Sequence, residues 1–354
     1  MEKPLSPPPI RRKPRRPQQE WKEIIALYLY LAGMGAGSFL VGLLIHWAGT
    51  PLNPLSTPSF ELLGIPVDLT KLPILWGPIM VSIGAPFLIL DLGIKWRFMY
   101  ACLNPRTSWV ARGFIILSVF IVFGLFVLIR ALLPADWLKG TSPLWRIPEA
   151  IAFVFAFWTA LYTGILLKAT KSVPLWNTPL LPLLFFTSAL STGTMAIILS
   201  LLGTGSLSYA SPAMKILMYG EQIFIVIEGI VLYLFLSRRY RSSEQGKDSV
   251  HLLVRGDFRY LFWGGIILLG FIFPVLLEWL SKAFQSPAVL WMAGLSLLTG
   301  GFFLRLGLIR AGVKEQIPMQ RWLEFQHGLI PSLKFGPAIR SNSSPQEIKS
   351  SKPL

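Results

Sequence analysis

Residues 24–47 read IIALYLYLAGMGAGSFLVGLLIHW. The run contains no Lys, Arg, Asp or Glu and no polar stripe, and His46 stands at its very end. A helix rises about 1.5 Å per residue, so such a run crosses a hydrocarbon core about 30 Å thick. A helix on the surface of a soluble domain needs a polar face, which this one lacks. It is also too long for the apolar region of an ordinary signal peptide. The basic, Pro-rich residues 1–22 before it read as a solvated tail.

Seven more runs of the same kind follow, near 72–91, 113–133, 149–167, 180–202, 216–237, 260–280 and 288–310. They are continuous rather than alternating, which argues against a β-barrel. Breakers such as Pro78, Pro86, Pro182 and Pro274 are tolerated in lipid where neighbouring helices satisfy the freed backbone groups. The expected fold is therefore an all-α integral membrane protein of eight transmembrane helices. A membrane domain over 23–312 sits between the tail 1–22 and a Ser-, Pro- and Lys-rich tail over 313–354.

The whole composition agrees. The chain is 53% hydrophobic and 14% charged with mean hydropathy +0.58, whereas an average soluble domain is about 25% charged. The net charge of +16 has a topological reading. On an eight-span path, 26 Lys and Arg fall on the side of the termini and 6 on the other, with Arg305 inside the last span. That split places both termini in the cytoplasm and removes the need for a nucleic-acid partner. One cysteine, Cys102, and three scattered histidines leave no ligand set for an iron–sulfur cluster, a bis-His haem pair or a metal centre in this chain alone.

Residues 33–38, Gly-Met-Gly-Ala-Gly-Ser, match residues 189–194, Ala-Leu-Ser-Thr-Gly-Thr, small for small and Met for Leu. Both pieces lie in spans that run outward. This predicts two four-helix bundles in parallel repeat, about 23–170 and 178–312, with close-packed helices at equivalent places.

Ionisable groups at membrane depth tend to be functional. His46, Arg130, Glu221 and Glu278 fall near the outer ends of their spans, where an interfacial role is expected. Asp91, Glu228 and Arg305 lie deeper or nearer the cytoplasmic end, on the side where Tyr28 and Tyr30 begin the first span and Tyr162 closes the fourth. An aromatic belt accounts for the tyrosines equally well. Phenols, an acid and a base converging there could instead hold a small polar headgroup with an apolar tail, as a quinone has. By direction alone, Tyr28, Asp91, Tyr162 and Arg305 should approach one another, with Glu228 close by. An Asp91–Arg305 ion pair would clamp the second helix to the eighth.

Several pieces, in order, resemble the NrfD/polysulfide-reductase membrane subunits. They are Leu27–Ser38; Leu90-Asp-Leu-Gly93 with Arg97-Phe98, Asn104–Trp109 and Ala111–Gly113; Tyr162–Leu167, Trp176-Asn177, Pro179–Leu183 and Ser188–Gly193; and Gly300-Gly301, Leu304-Arg305 and Ala311-Gly312. The likeness runs over about 20–315. It implies a subunit that exchanges electrons between a quinone (menaquinone or ubiquinone) and an iron–sulfur, ferredoxin-like subunit, often beside a molybdopterin-type catalytic subunit, in a prokaryotic inner (plasma) membrane. It implies no haem or cluster of its own. In the family a fourth-helix tyrosine binds the quinone, and Tyr162 stands at that place. The expected quinone site is then Tyr28, Tyr162, Glu228 and Arg305, with Tyr162 and Asp91 moving protons. Asn104, Arg106 and Trp109 are the expected docking loop, or else a plain structural turn. A membrane transporter and a non-catalytic anchor for a redox partner stay open as alternatives.

Overall fold

A computed structural model describes residues 18, 21, 23–49, 60–62, 65–67, 71–90, 106, 108–133, 143–205 and 207–314. Met1–Lys314 form one compact unit; a second, Glu315–Leu354, lies outside the described residues, as does most of the tail 1–22.

Among the described residues, seven helices are long and apolar enough to cross a membrane: Glu23–Trp47, Trp109–Leu132, Arg146–Lys168, Leu180–Gly203, Pro212–Ser242, Leu261–Phe284 and Pro287–Arg310. Each falls where an apolar run predicts it. The remaining run, the second in order, is shorter and broken. It forms Leu72–Leu75 and then Gly77–Leu90, with Trp76 between, and this pair of helices is the second span. Pro78 explains the break, because its missing N–H fits the first turn of a helix and not the middle of one. A small antiparallel hairpin, Phe60–Leu62 with Ile65–Val67, precedes it and departs from the all-α expectation. The seventh span opens as a wide π-helical coil over Leu261–Ile272 and tightens to α from Phe273.

The ends of the membrane domain meet. Gln18 donates from its backbone N–H to Gly312 O at 2.7 Å and from Nε2 to Ile309 O at 3.0 Å. Arg310 pairs with Glu23. The first span therefore starts on the face where the last one finishes, as an even number of crossings demands. We call this the terminal face. Trp176 seals it by donating from Nε1 to Leu308 O at 2.8 Å.

The two halves share three contacts. Spans one and two, one and four, and three and four pack together in the first half, as five and six, five and eight, and seven and eight do in the second. Span two also packs on three and touches five, and among the described residues neither contact has a counterpart of similar extent in the second half. Between the halves, four packs on five, one on eight and, most extensively, one on five. The two matched small-residue pieces form this contact. A Cβ at Gly37 would overlap the Ala189 carbonyl, and one at Gly193 would overlap the Ser38 backbone nitrogen. Only hydrogen fits at either place, and the backbones touch because of it. Neither helix carries a charged side chain away from its ends, and most of each is buried at the centre.

Candidate functional site

Three candidate residues come to about the same depth. Tyr28 is five residues into the first span, Tyr162 six from the end of the fourth, and Arg305 five from the end of the eighth. At about 1.5 Å per residue each lies some 8–9 Å in from the terminal face. None of the three is exposed.

Depth does not fix rotation. Tyr28 and Tyr30 are about 200° apart around their helix, so they look in opposite directions. Tyr28 turns toward Tyr162, its electrostatic neighbour. Tyr30 and Gly33 turn toward Arg305, whose guanidinium carbon lies 5.4 Å from the Tyr30 ring centre. The single cluster expected from helix direction is thus two neighbouring groups on opposite faces of the first span.

The first group is a pair of phenols. Among the described residues neither Tyr28 Oη nor Tyr162 Oη has a hydrogen-bond partner. Tyr162 is seated by the third span: a Cβ at Gly113 would overlap its Cζ and Oη. Gly113 lies in the first turn of Trp109–Leu132, which Ser108 starts by accepting from Ala111 N–H at 3.3 Å. Buried phenol hydroxyls normally find partners. Two orphans on facing helices form a place where a carbonyl oxygen could accept.

The second group surrounds Arg305. Its Nη1 donates to Ser188 Oγ at 3.0 Å and to Gly301 O at 2.8 Å. The guanidinium lies between the rings of Tyr30 and Phe185, 5.4 and 5.5 Å away. Its Nε and Nη2 have no partner among the described residues. Glu228, buried on the sixth span, sits beside Ser188 and close enough to Arg305 for their charges to interact. Asp91, the expected clamp and proton carrier, lies outside the described residues, as does Asn104. The described acid near Arg305 is Glu228. Of the expected docking loop, Arg106 and Trp109 are described and exposed, and Arg112 lies over the Trp109 ring at 4.5 Å.

Two features escape sequence reasoning. Gly113 looks like any helix-start glycine until Tyr162 arrives on it. Glu221 and Glu278, expected at the interface, are both fully buried. Glu221 accepts from Ser191 Oγ at 3.4 Å and Glu278 from Gln222 Nε2 at 2.7 Å. The spacing Glu221–Glu228 on one helix face, opposite Ser188 and Ser191, was the available signal. Arg130 does sit half-buried near its span end, paired with Glu149 at 3.1 Å.

Known proteins resemble the chain over most of its length. The family described as "Polysulphide reductase, NrfD" matches residues 14–315. One polysulfide reductase polypeptide, from Wolinella succinogenes, is 29% identical over 309 residues, covering 82% of this chain and 94% of the relative. Protein NrfD of Escherichia coli K12 is 27% identical over 316 residues, covering 82% and 94%. One selenate reductase subunit, from Mesobacillus selenatarsenatis, is 25% identical over 317 residues, covering 79% and 71%.

Proposed function

The chain belongs to the NrfD polysulphide reductase family, and on that premise we propose that it is the quinone-interacting membrane subunit of a respiratory oxidoreductase. Two relatives bear reductase names, one for polysulfide and one for selenate, which supports a place in a multi-subunit reductase. The observation that carries the quinone reading is the pair of fully buried phenol hydroxyls on Tyr28 and Tyr162, which have no partner among the described residues. Left unmet, each costs about 1–3 kcal/mol. A quinone carbonyl, an acceptor on a flat apolar ring, meets that need. Bound there, the quinone supplies the two-electron, two-proton chemistry of the membrane pool.

The protein's own residues do the rest. Tyr28 and Tyr162 hold the headgroup by hydrogen bonds from their hydroxyls, and the Tyr162 hydroxyl is the proton-exchanging group. Gly113 sets the position of that hydroxyl. Arg305, with Glu228 and Ser188, holds positive charge on the far side of the first span and balances charge at the site. Asp91 is the second proton-exchanging residue. The partner is an iron–sulfur, ferredoxin-like subunit, beside a molybdopterin-type catalytic subunit, docking through Arg106, Trp109 and Asn104. The complex lies in a prokaryotic inner membrane, with both termini of this chain cytoplasmic.

The test is isolation of the chain with its native partners. An iron–sulfur subunit should co-purify, and its clusters should be reduced by added quinol. Co-purification without quinol-dependent reduction would leave an anchor and remove the quinone role.

A further inference from the structure

A string of buried polar side chains runs through the second bundle. At its far end, Glu221 of the sixth span faces Glu278 of the seventh, with neither side chain exposed. One oxygen of each is accounted for: Glu221 Oε1 accepts from Ser191 and Glu278 Oε2 from Gln222. The other two, Glu221 Oε2 and Glu278 Oε1, meet no donor among the described residues, although the two carboxyl groups lie within hydrogen-bonding range of each other. A carboxylate oxygen only accepts, so two of them face to face need a proton between them. Lys282, one turn along from Glu278, is near enough to act on its charge, but its ammonium lies over the Tyr219 ring at 4.2 Å and pairs with neither carboxyl group among the described residues.

From Glu221 the string continues toward the terminal face. Ser191 donates to Glu221; Ser188 lies one turn back on the same helix, a rise of about 4.5 Å, a gap that one water molecule can span. Ser188 receives Arg305 and neighbours Glu228, which lies about 10 Å along the sixth span from Glu221 and on the same face. A hydroxyl both donates and accepts, so each serine can pass a proton on. Among the described residues the first bundle shows no such string. Its Glu149 is neutralised by Arg130 at 3.1 Å and by Trp47 Nε1 at 2.7 Å, and the Thr159 and Thr163 hydroxyls donate to carbonyls of their own helix.

We propose that Glu221 and Glu278 hold one proton between them and, with Ser191, Ser188, Glu228 and Arg305, form a proton path through the second bundle. The path leads from the Glu221–Glu278 pair, about 9 Å in from the end of the seventh span, to the Arg305 group. Its supply of protons to quinone reduction, or removal of them on quinol oxidation, rests on the quinone reading above; the path itself does not.

Two measurements on the full chain test it. Infrared spectra should show the carbonyl stretch of a protonated carboxylic acid, lost in Glu221→Gln and equally in Glu278→Gln, because either change leaves an amide to donate to the remaining carboxylate. In liposomes under an imposed membrane potential, the protein should carry protons, and Glu221→Gln should slow the flux about tenfold or more. Ser191→Ala, which removes a hydroxyl and no charge, serves for the flux if Glu221→Gln does not fold. A band untouched by both glutamate variants, or a flux absent in the native chain or unchanged in the variants, overturns the path. Quinone binding should survive Glu221→Gln. Its absence from the native chain, with the band present, would sink the quinone reading and leave the path standing.

Discussion

The phenol of Tyr162 occupies the space that a side chain at position 113 would fill: a Cβ on Gly113 would overlap both Cζ and Oη of that tyrosine. The third span thus presses hydrogen, and nothing larger, against the end of the ring and fixes the depth of the hydroxyl.

Gly113→Ala should therefore act through Tyr162. The ring must swing away, and quinol turnover should fall about as far as in Tyr162→Phe, tenfold or more. Combining the two should cost little beyond either one. Independent, multiplying losses in the double variant would separate the two residues. Assembly, followed by co-purification of the partner, should be kept in Tyr162→Phe.

Gly193→Ala and Gly37→Ala test the central contact. Each adds a methyl group where backbone already sits, and overpacking of this kind costs about 1–3 kcal/mol. Thermal unfolding of the detergent-solubilised protein should begin at lower temperature in both. Gly220→Ala, inside the sixth span with open space around it, should disturb the helices far less. Equal effects at all three positions would contradict the contact.

Arg305 and Glu228 should behave as a unit. Arg305→Met removes the donor to Ser188 and the cation whose charge acts on the buried Glu228, and should lower stability. Glu228→Gln in the same chain removes the uncompensated charge, so the double variant should be more stable than Arg305→Met alone. A double variant less stable than the single one would mean that the two side chains do not compensate one another.

The positions of the spans were legible because lipid enforces them: a crossing helix needs an unbroken apolar run, and all eight runs show as such. The break at Trp76 was less so, since Pro78 reads equally as a tolerated kink. Depth was also readable, and Tyr28, Tyr162 and Arg305 do share a level. Rotation was not. Nothing in an all-apolar helix tells which way Tyr28 faces, and so one expected cluster is two groups. For the same reason Glu221 and Glu278 looked interfacial: their distance from a helix end was visible, and their facing each other was not.

Topology gives a fourth expectation. Gln18 bonds to Ile309 and Gly312, so the path between has an even number of crossings. Reporter fusions after Leu133 and after Gln245 should therefore lie on opposite sides, the second in the cytoplasm. Both on one side would break the eight-span path.

The claim that this chain binds quinone at Tyr28 and Tyr162 is tested most directly by equilibrium binding of a quinone to the purified full chain, read from tryptophan fluorescence. The native chain should bind saturably, at about one quinone per chain. Tyr162→Phe, which removes one of the two donors, should weaken binding by about 0.5–1.5 kcal/mol, up to roughly tenfold in Kd. Binding that does not saturate, or a Kd unchanged in both Tyr162→Phe and Tyr28→Phe, would contradict the site.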